Sequence, residues 1–67
     1  MNITEAVRIA LKQGKFFTRP EYKNSFKTLP TNTDECCVLY DANGKKLAPR
    51  WEPDASDLMA DDYIVVD

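Results

Sequence analysis

The stretch Ser56-Asp57-Leu58-Met59-Ala60-Asp61-Asp62-Tyr63-Ile64-Val65-Val66 constrains this chain more than any other. Ser56 has the side chain of a helix N-cap, Asp57 stands where the helix dipole favours negative charge, and Leu58, Met59 and Ala60 supply one helical turn. That turn must stop at once. Asp61 and Asp62 are weak helix formers carrying the wrong charge for a carboxyl end, and Tyr63 to Val66 is a dense run of β-forming side chains. A strand in this position is ordered by pairing inside a sheet, so it is expected to join an earlier segment and close the core.

The 67 residues give room for one domain, spanning residues 1–67. A domain of this size buries only ~60% of the surface its unfolded chain exposes, so it gains from disulfides, a metal or a partner subunit. The chain has no histidine, and its two cysteines, Cys36 and Cys37, are adjacent, which does not match the spaced pairs of a zinc site. No metal and no cofactor are expected, and oligomerisation is the remaining route. No secretory signal and no apolar run of the ~20 residues needed to cross a bilayer are read, so a reducing cytoplasm and no membrane are expected.

Net charge is −2, but the two halves are electrically opposite. Residues 1–30 carry six cations (Arg8, Lys12, Lys15, Arg19, Lys23, Lys27) against Glu5 and Glu21, whereas residues 31–67 hold nine acids against Lys45, Lys46 and Arg50. Mutual docking of the halves, or contact between copies, is expected. An acidic chain is a poor binder of long nucleic acid.

In chain order, Thr4 reads as an N-cap and Glu5 as the first helical acid, with Ile3, Ala6, Val7, Ala10 and Leu11 on one helical face and Gly14 as a left-handed stop. So short a helix must lie on a sheet. Lys15 to Arg19 is a strand candidate ended by Pro20, and it sends Phe16 and Phe17 to opposite faces, one to the core and one to a second apolar contact such as another subunit. Glu21 to Ser25 is a polar turn, Phe26 to Leu29 a weak strand before Pro30, and Thr31 to Glu35 a mobile loop. Cys36 to Tyr40, Asp41-Ala42-Asn43-Gly44 and Lys45 to Ala48 form a hairpin with a glycine bulge. The fold class is therefore α+β: an N-terminal amphipathic helix packed on a small antiparallel sheet, with one short C-terminal helical turn before a terminal strand.

With the elements in this order, both ends resemble a phage protein family. Met1-Asn2-Ile3-Thr4-Glu5-Ala6-Val7 through Leu11-Lys12-Gln13-Gly14-Lys15 looks like its opening helix, glycine and basic strand. Trp51, then Asp57 to Tyr63 and Val65-Val66, looks like its closing signature, usually written with tryptophan where Tyr63 stands. The family holds the second type of Thoeris anti-defence proteins, small sponges that sequester cyclic nucleotide signals of bacterial immunity, with related sponges acting against CBASS signals. The resemblance implies a homo-oligomer, commonly a tetramer, that works in the host bacterial cytoplasm, takes ligand between protomers and does not degrade it. It sets Tyr22, beside Arg19 and Asn24, at the position of the family's loop aromatic.

Catalysis finds little support. Neither cysteine has an activating neighbour, and Asp57, Asp61 and Asp62 lack the spacing of a calcium loop. For a cyclic nucleotide (cyclic oligonucleotide or cyclic ADP-ribose isomer), Arg19 can hold phosphate, Tyr22 or Trp51 can stack on a base, Asn24 or Thr18 can orient an edge, and Asp57 or Asp61 can accept from a hydroxyl or amino group. The plainer alternatives are that Trp51 packs on the opening helix, which the residues alone favour, that Tyr22 is a surface loop residue, and that Arg19 pairs with a C-terminal acid. For Arg19 and Tyr22 the resemblance decides for ligand. The rival function is a small acidic phage protein that inhibits a host protein, using its C-terminal carboxylates as a nucleic-acid mimic.

Overall fold

A computed structural model describes residues 1–67. The opening helix α1 runs Ile3–Gln13, and its cap is Asn2, two residues before the expected Thr4. The reason is spacing. Asn2 and Glu5 stand three apart, so Asn2 Oδ1 accepts from the Glu5 N–H at 2.9 Å while Glu5 Oε1 accepts from the Asn2 N–H at 3.1 Å, a reciprocal box that Thr4 cannot make. Gly14 ends the helix at φ 67°, with its N–H bonded to the Ala10 carbonyl.

Five strands follow: β1 Phe16–Thr18, β2 Phe26–Pro30, β3 Cys37–Asp41, β4 Lys46–Ala48 and β5 Ile64–Val66. They form one antiparallel sheet in the order β4-β3-β2-β1-β5. The terminal strand closes the sheet as expected. Phe16 pairs with Val66, Phe17 with Val65 and Thr18 with Ile64. The β3–β4 turn also keeps its expected chemistry, since Asp41 Oδ1 accepts from the N–H groups of Asn43 and Lys45 and Gly44 lies at φ 93°.

Helix α1 contacts β1, β2 and β5, and Ala6, Ala10, Phe17 and Tyr63 form the buried core, flanked by Ile3, Val7, Trp51, Ala60 and Val65. Ala6 and Ala10 let the helix sit close on the sheet. Leu11 departs from the expected face and is 47% exposed. A step of four residues overshoots one helical turn by about 40°, so the line Ile3, Val7, Leu11 walks progressively off the sheet. Phe16 finds its second apolar contact inside the chain, edge-on to Tyr40 at 5.1 Å, with Lys27 Nζ 4.2 Å from its ring centroid.

The second helix, α2, spans Ala55–Met59 and is capped by Asp54, not Ser56. Asp54 and Asp57 repeat the reciprocal box of α1, with bonds of 2.9 and 3.1 Å, and Ser56 falls inside the helix. Asp54→Ala is accordingly expected to cost ~1 kcal/mol in urea unfolding, and Ser56→Ala, inside the helix where alanine is the better helix former, to be neutral or slightly stabilising. Equal losses would contradict this cap. The loop 31–35 is tied by hydroxyl bonds of Thr31 and Thr33 and by Glu35, which pairs with Lys46 at 2.9 Å. The oppositely charged halves meet at Lys15–Asp67 (3.2 Å), Arg19–Asp57 (3.5 Å) and Arg19–Asp62 (2.9 Å). No helix is long and apolar enough to cross a membrane.

Candidate functional site

Pro20 starts a 3-10 turn, Pro20–Tyr22, where a polar turn was expected; its fixed φ and missing N–H suit the first position of such a turn. The turn folds Tyr22 back over β2, and its ring stacks on Phe26 at 4.8 Å with an interplanar angle of 25°. Arg19, immediately before the proline, is held extended at φ −103° and reaches across to the C-terminal segment. Its Nε donates to Asp62 at 2.9 Å, and its two terminal nitrogens lie 2.9 Å from Glu21 and 3.5 Å from Asp57. The guanidinium carbon is 5.8 Å from the Tyr22 ring centroid.

Trp51 is delivered by a different route. Arg50 takes φ 66°, its N–H donates to the Glu35 carbonyl at 3.0 Å, and the Trp51 N–H donates to the Cys37 carbonyl. The Trp51 ring then meets Phe17 edge-on at 5.3 Å. Tyr63 closes the floor from the other side, 5.7 Å from Phe17, and its hydroxyl donates to the Asp57 carbonyl at 2.6 Å.

These side chains line one cleft. Of the seven residues expected to bind ligand, Thr18, Arg19, Tyr22, Trp51 and Asp57 come together there. Asn24 does not. It lines a separate hollow of about 400 Å³ with Lys23, Lys27, Asn43 and Asp67, on the other side of the segment that carries Tyr22 and Phe26. Asp61 lies in neither; its carbonyl instead accepts from the Met1 ammonium at 2.9 Å. Phe17, Phe26, Thr28 and Tyr63 complete the cleft and were not among the residues expected to bind ligand. Their signal was register: Phe17 pairs with Thr28 across β1–β2, which no local pattern in so short a strand reveals.

The cleft encloses about 10 Å³, room for one water, so a nucleotide cannot lie wholly inside this cleft. Three carboxylates surround one guanidinium, leaving the mouth net negative. The Asp62 hydrogen bond, opposed by burial and aided by the Asp62 and Glu21 charges, raises the Arg19 pKa above its ordinary value. The Tyr22 phenol is raised first by the neighbouring Glu21 charge. Tyr63 is pushed up to about 12, first by burial and then by the Asp57 charge. The plainer roles of Arg19 and Trp51 are thus present: Arg19 pairs with acids of the C-terminal half, and Trp51 packs on the core. No three metal-ligating side chains cluster to hold an ion.

A family model for the Thoeris anti-defense 2-like domain, Tad2-like, matches residues 1–66. No curated protein and no solved structure matches the chain. The family match runs from Met1, just before the Asn2 cap of α1, to the last residue of β5, across every element that builds the cleft. The chain belongs to the Thoeris anti-defense 2-like family, and its role is phage anti-defence.

Proposed function

We propose that this protein binds and sequesters a cyclic nucleotide immune signal, a cyclic oligonucleotide or a cyclic ADP-ribose isomer, in the host bacterial cytoplasm and releases it unchanged. The observation that carries this reading is the convergence of Arg19, Tyr22, Trp51, Thr18 and Asp57 on one cleft in a chain of this family. Each offers what a nucleotide needs: a guanidinium for phosphate, aromatic rings for a base, and a hydroxyl and a carboxylate for edges and sugar.

The size of the cleft sets how ligand would bind. It takes an edge of the nucleotide, and the rest lies against a second protomer of a homo-oligomer, a tetramer in the family resemblance. Phosphate must also displace a carboxylate from Arg19. Glu21 is the one to yield: it is the most exposed of the three, Asp57 is only 20% exposed and tied into the α2 cap, and Asp62 holds the Nε hydrogen bond at 2.9 Å. The proposal is capture without turnover; cleavage would call for a base–nucleophile pair.

Thermal-shift screening against cyclic di- and trinucleotides and cyclic ADP-ribose isomers tests the reading, followed by heating of the complex and mass spectrometry of what is released. Intact ligand is expected. Cleaved ligand would replace the sponge with an enzyme. In calorimetric titration Arg19→Ala should weaken binding at least tenfold, whereas Glu21→Ala should tighten it by freeing the guanidinium. A protein that binds no nucleotide but retains a stoichiometric host protein through both substitutions would favour the acidic inhibitor instead.

A further inference from the structure

The turn between β3 and β4 holds a reactive pair that the cleft does not use. Asn43 is the one asparagine of the chain followed by glycine, and both residues are exposed. The other asparagines are screened by what comes next. Asn2 and Asn32 precede the β-branched Ile3 and Thr33, and Asn24 precedes Ser25, whose N–H is held by the Tyr22 carbonyl at 2.8 Å. Gly44 has no side chain to shield its nitrogen, and nothing beyond its chain neighbours lies within 4 Å of where a Cβ would stand.

Asp41 restrains this pair. Its Oδ1 accepts from the N–H groups of Asn43 and Lys45, both at 2.9 Å, one on each side of the Asn43–Gly44 peptide. Its N–H donates to the Lys45 carbonyl at 2.8 Å, and its carbonyl accepts from the Gly44 N–H at 3.1 Å. The last of these four bonds is the longest, and it is the one that ties down the Gly44 nitrogen.

We propose that Asn43 is a modification site that deamidates through Gly44, and that the Asp41 carboxylate is its brake. The Gly44 nitrogen bonds to Asn43 Cγ, the Cγ–Nδ2 bond breaks, and ammonia leaves with the proton taken from Gly44, closing a five-membered imide. Water then opens the ring. Attack at Cγ restores the peptide and leaves an ordinary side-chain carboxylate, whereas attack at the main-chain carbonyl leaves a carboxylate on Cα and routes the backbone through Cγ, one atom longer. The sum is amide plus water to carboxylate plus ammonium. Ring closure needs the Gly44 N–H to leave the Asp41 carbonyl and the Asn43–Gly44 peptide to turn, which the two bonds to Asp41 Oδ1 oppose. In the iso-linked product the added atom separates two N–H groups that had shared one carboxylate oxygen, so the turn stays loosened. The new charge faces Lys23 and Lys27 across the hollow that they share with Asn43.

Peptide mapping by mass spectrometry during incubation at mildly alkaline pH tests this, with isoaspartyl methyltransferase and labelled S-adenosylmethionine to count iso linkages and circular dichroism to check folding. Asn43→Asp supplies the ordinary product as a standard. In wild type, conversion should occur first at Asn43 and run slower in the folded protein than in guanidinium chloride. Asp41→Ala removes the two bonds to Oδ1 and should raise the folded rate about fivefold or more while leaving the rate in denaturant unchanged. Asp41→Asn retains an acceptor oxygen and should stay near the wild-type rate. Conversion first at another asparagine, a folded rate equal to that in denaturant, or equal folded rates for Asp41→Ala and Asp41→Asn would each overturn the proposal. The wild-type comparison decides even where Asp41→Ala does not fold.

Discussion

Phe17→Ala is expected to leave the protein largely unfolded in water at room temperature. Phe17 is the one large side chain with no exposure at all, and it stands at the centre of the core, between the rings of Trp51 and Tyr63 and under Ala6 and Ala10. Removing a buried phenylalanine costs ~3–5 kcal/mol, from lost burial and from the cavity left behind. A core in a domain of this size rarely supplies more than ~3–5 kcal/mol in total, so little or nothing remains. Urea unfolding followed by circular dichroism measures the effect directly. Phe16→Ala is the control, because Phe16 is half-buried between Tyr40 and Lys27 on the opposite face and should cost clearly less. Similar losses for the two phenylalanines would place the core wrongly.

The second large effect is alkaline lability through Tyr63. This phenol is 2% exposed and pushed up to about 12, so the folded state favours the protonated form more than the unfolded chain does. The sign follows from linkage. Below the unfolded value of ~10 the contribution is complete; as pH rises from there through about 12, the unfolded chain loses its proton first and stability falls. The loss across that window is on the order of 2 kcal/mol. Unfolding free energies from urea titrations at neutral and at strongly alkaline pH should differ by at least that amount in wild type. Tyr63→Phe should be ~1 kcal/mol less stable at neutral pH, because the Asp57 carbonyl loses its 2.6 Å donor, yet should lack the Tyr63 part of the alkaline decline. An unchanged alkaline profile in that variant would show that another group controls it.

What resemblance supplied and what the residues supplied can be told apart at the site. The family resemblance pointed to Tyr22 and Arg19, and the match over residues 1–66 secures the family. The residues alone favoured packing for Trp51, and the structure has it packed on Phe17 while it also lines the cleft. For Asn24, adjacency in sequence to Tyr22 was a poor guide. Two residues along an irregular segment are enough to turn a side chain to the other side of the wall, here into the hollow with Lys23 and Lys27.

By itself the sequence determined the elements with strong local signals. The helix ended by Gly14, the Asp41–Gly44 hairpin and the run Tyr63 to Val66 follow from backbone preferences and side-chain spacing that act within a few residues. The opposite charge of the halves also predicted contact between them. The caps are local as well: each helix starts at the polar residue that has an acid three positions on, Asn2 with Glu5 and Asp54 with Asp57. Only the tertiary structure decided the rest. Arg19 answers to Asp57 and Asp62 because β5 returns beside β1, a pairing across more than forty residues. The drift of Ile3, Val7 and Leu11 off the sheet depends on where the helix comes to rest, which Ala6 and Ala10 fix through close approach to Phe17. Long-range pairing sets the cleft, and local preference can supply its walls but not bring them together.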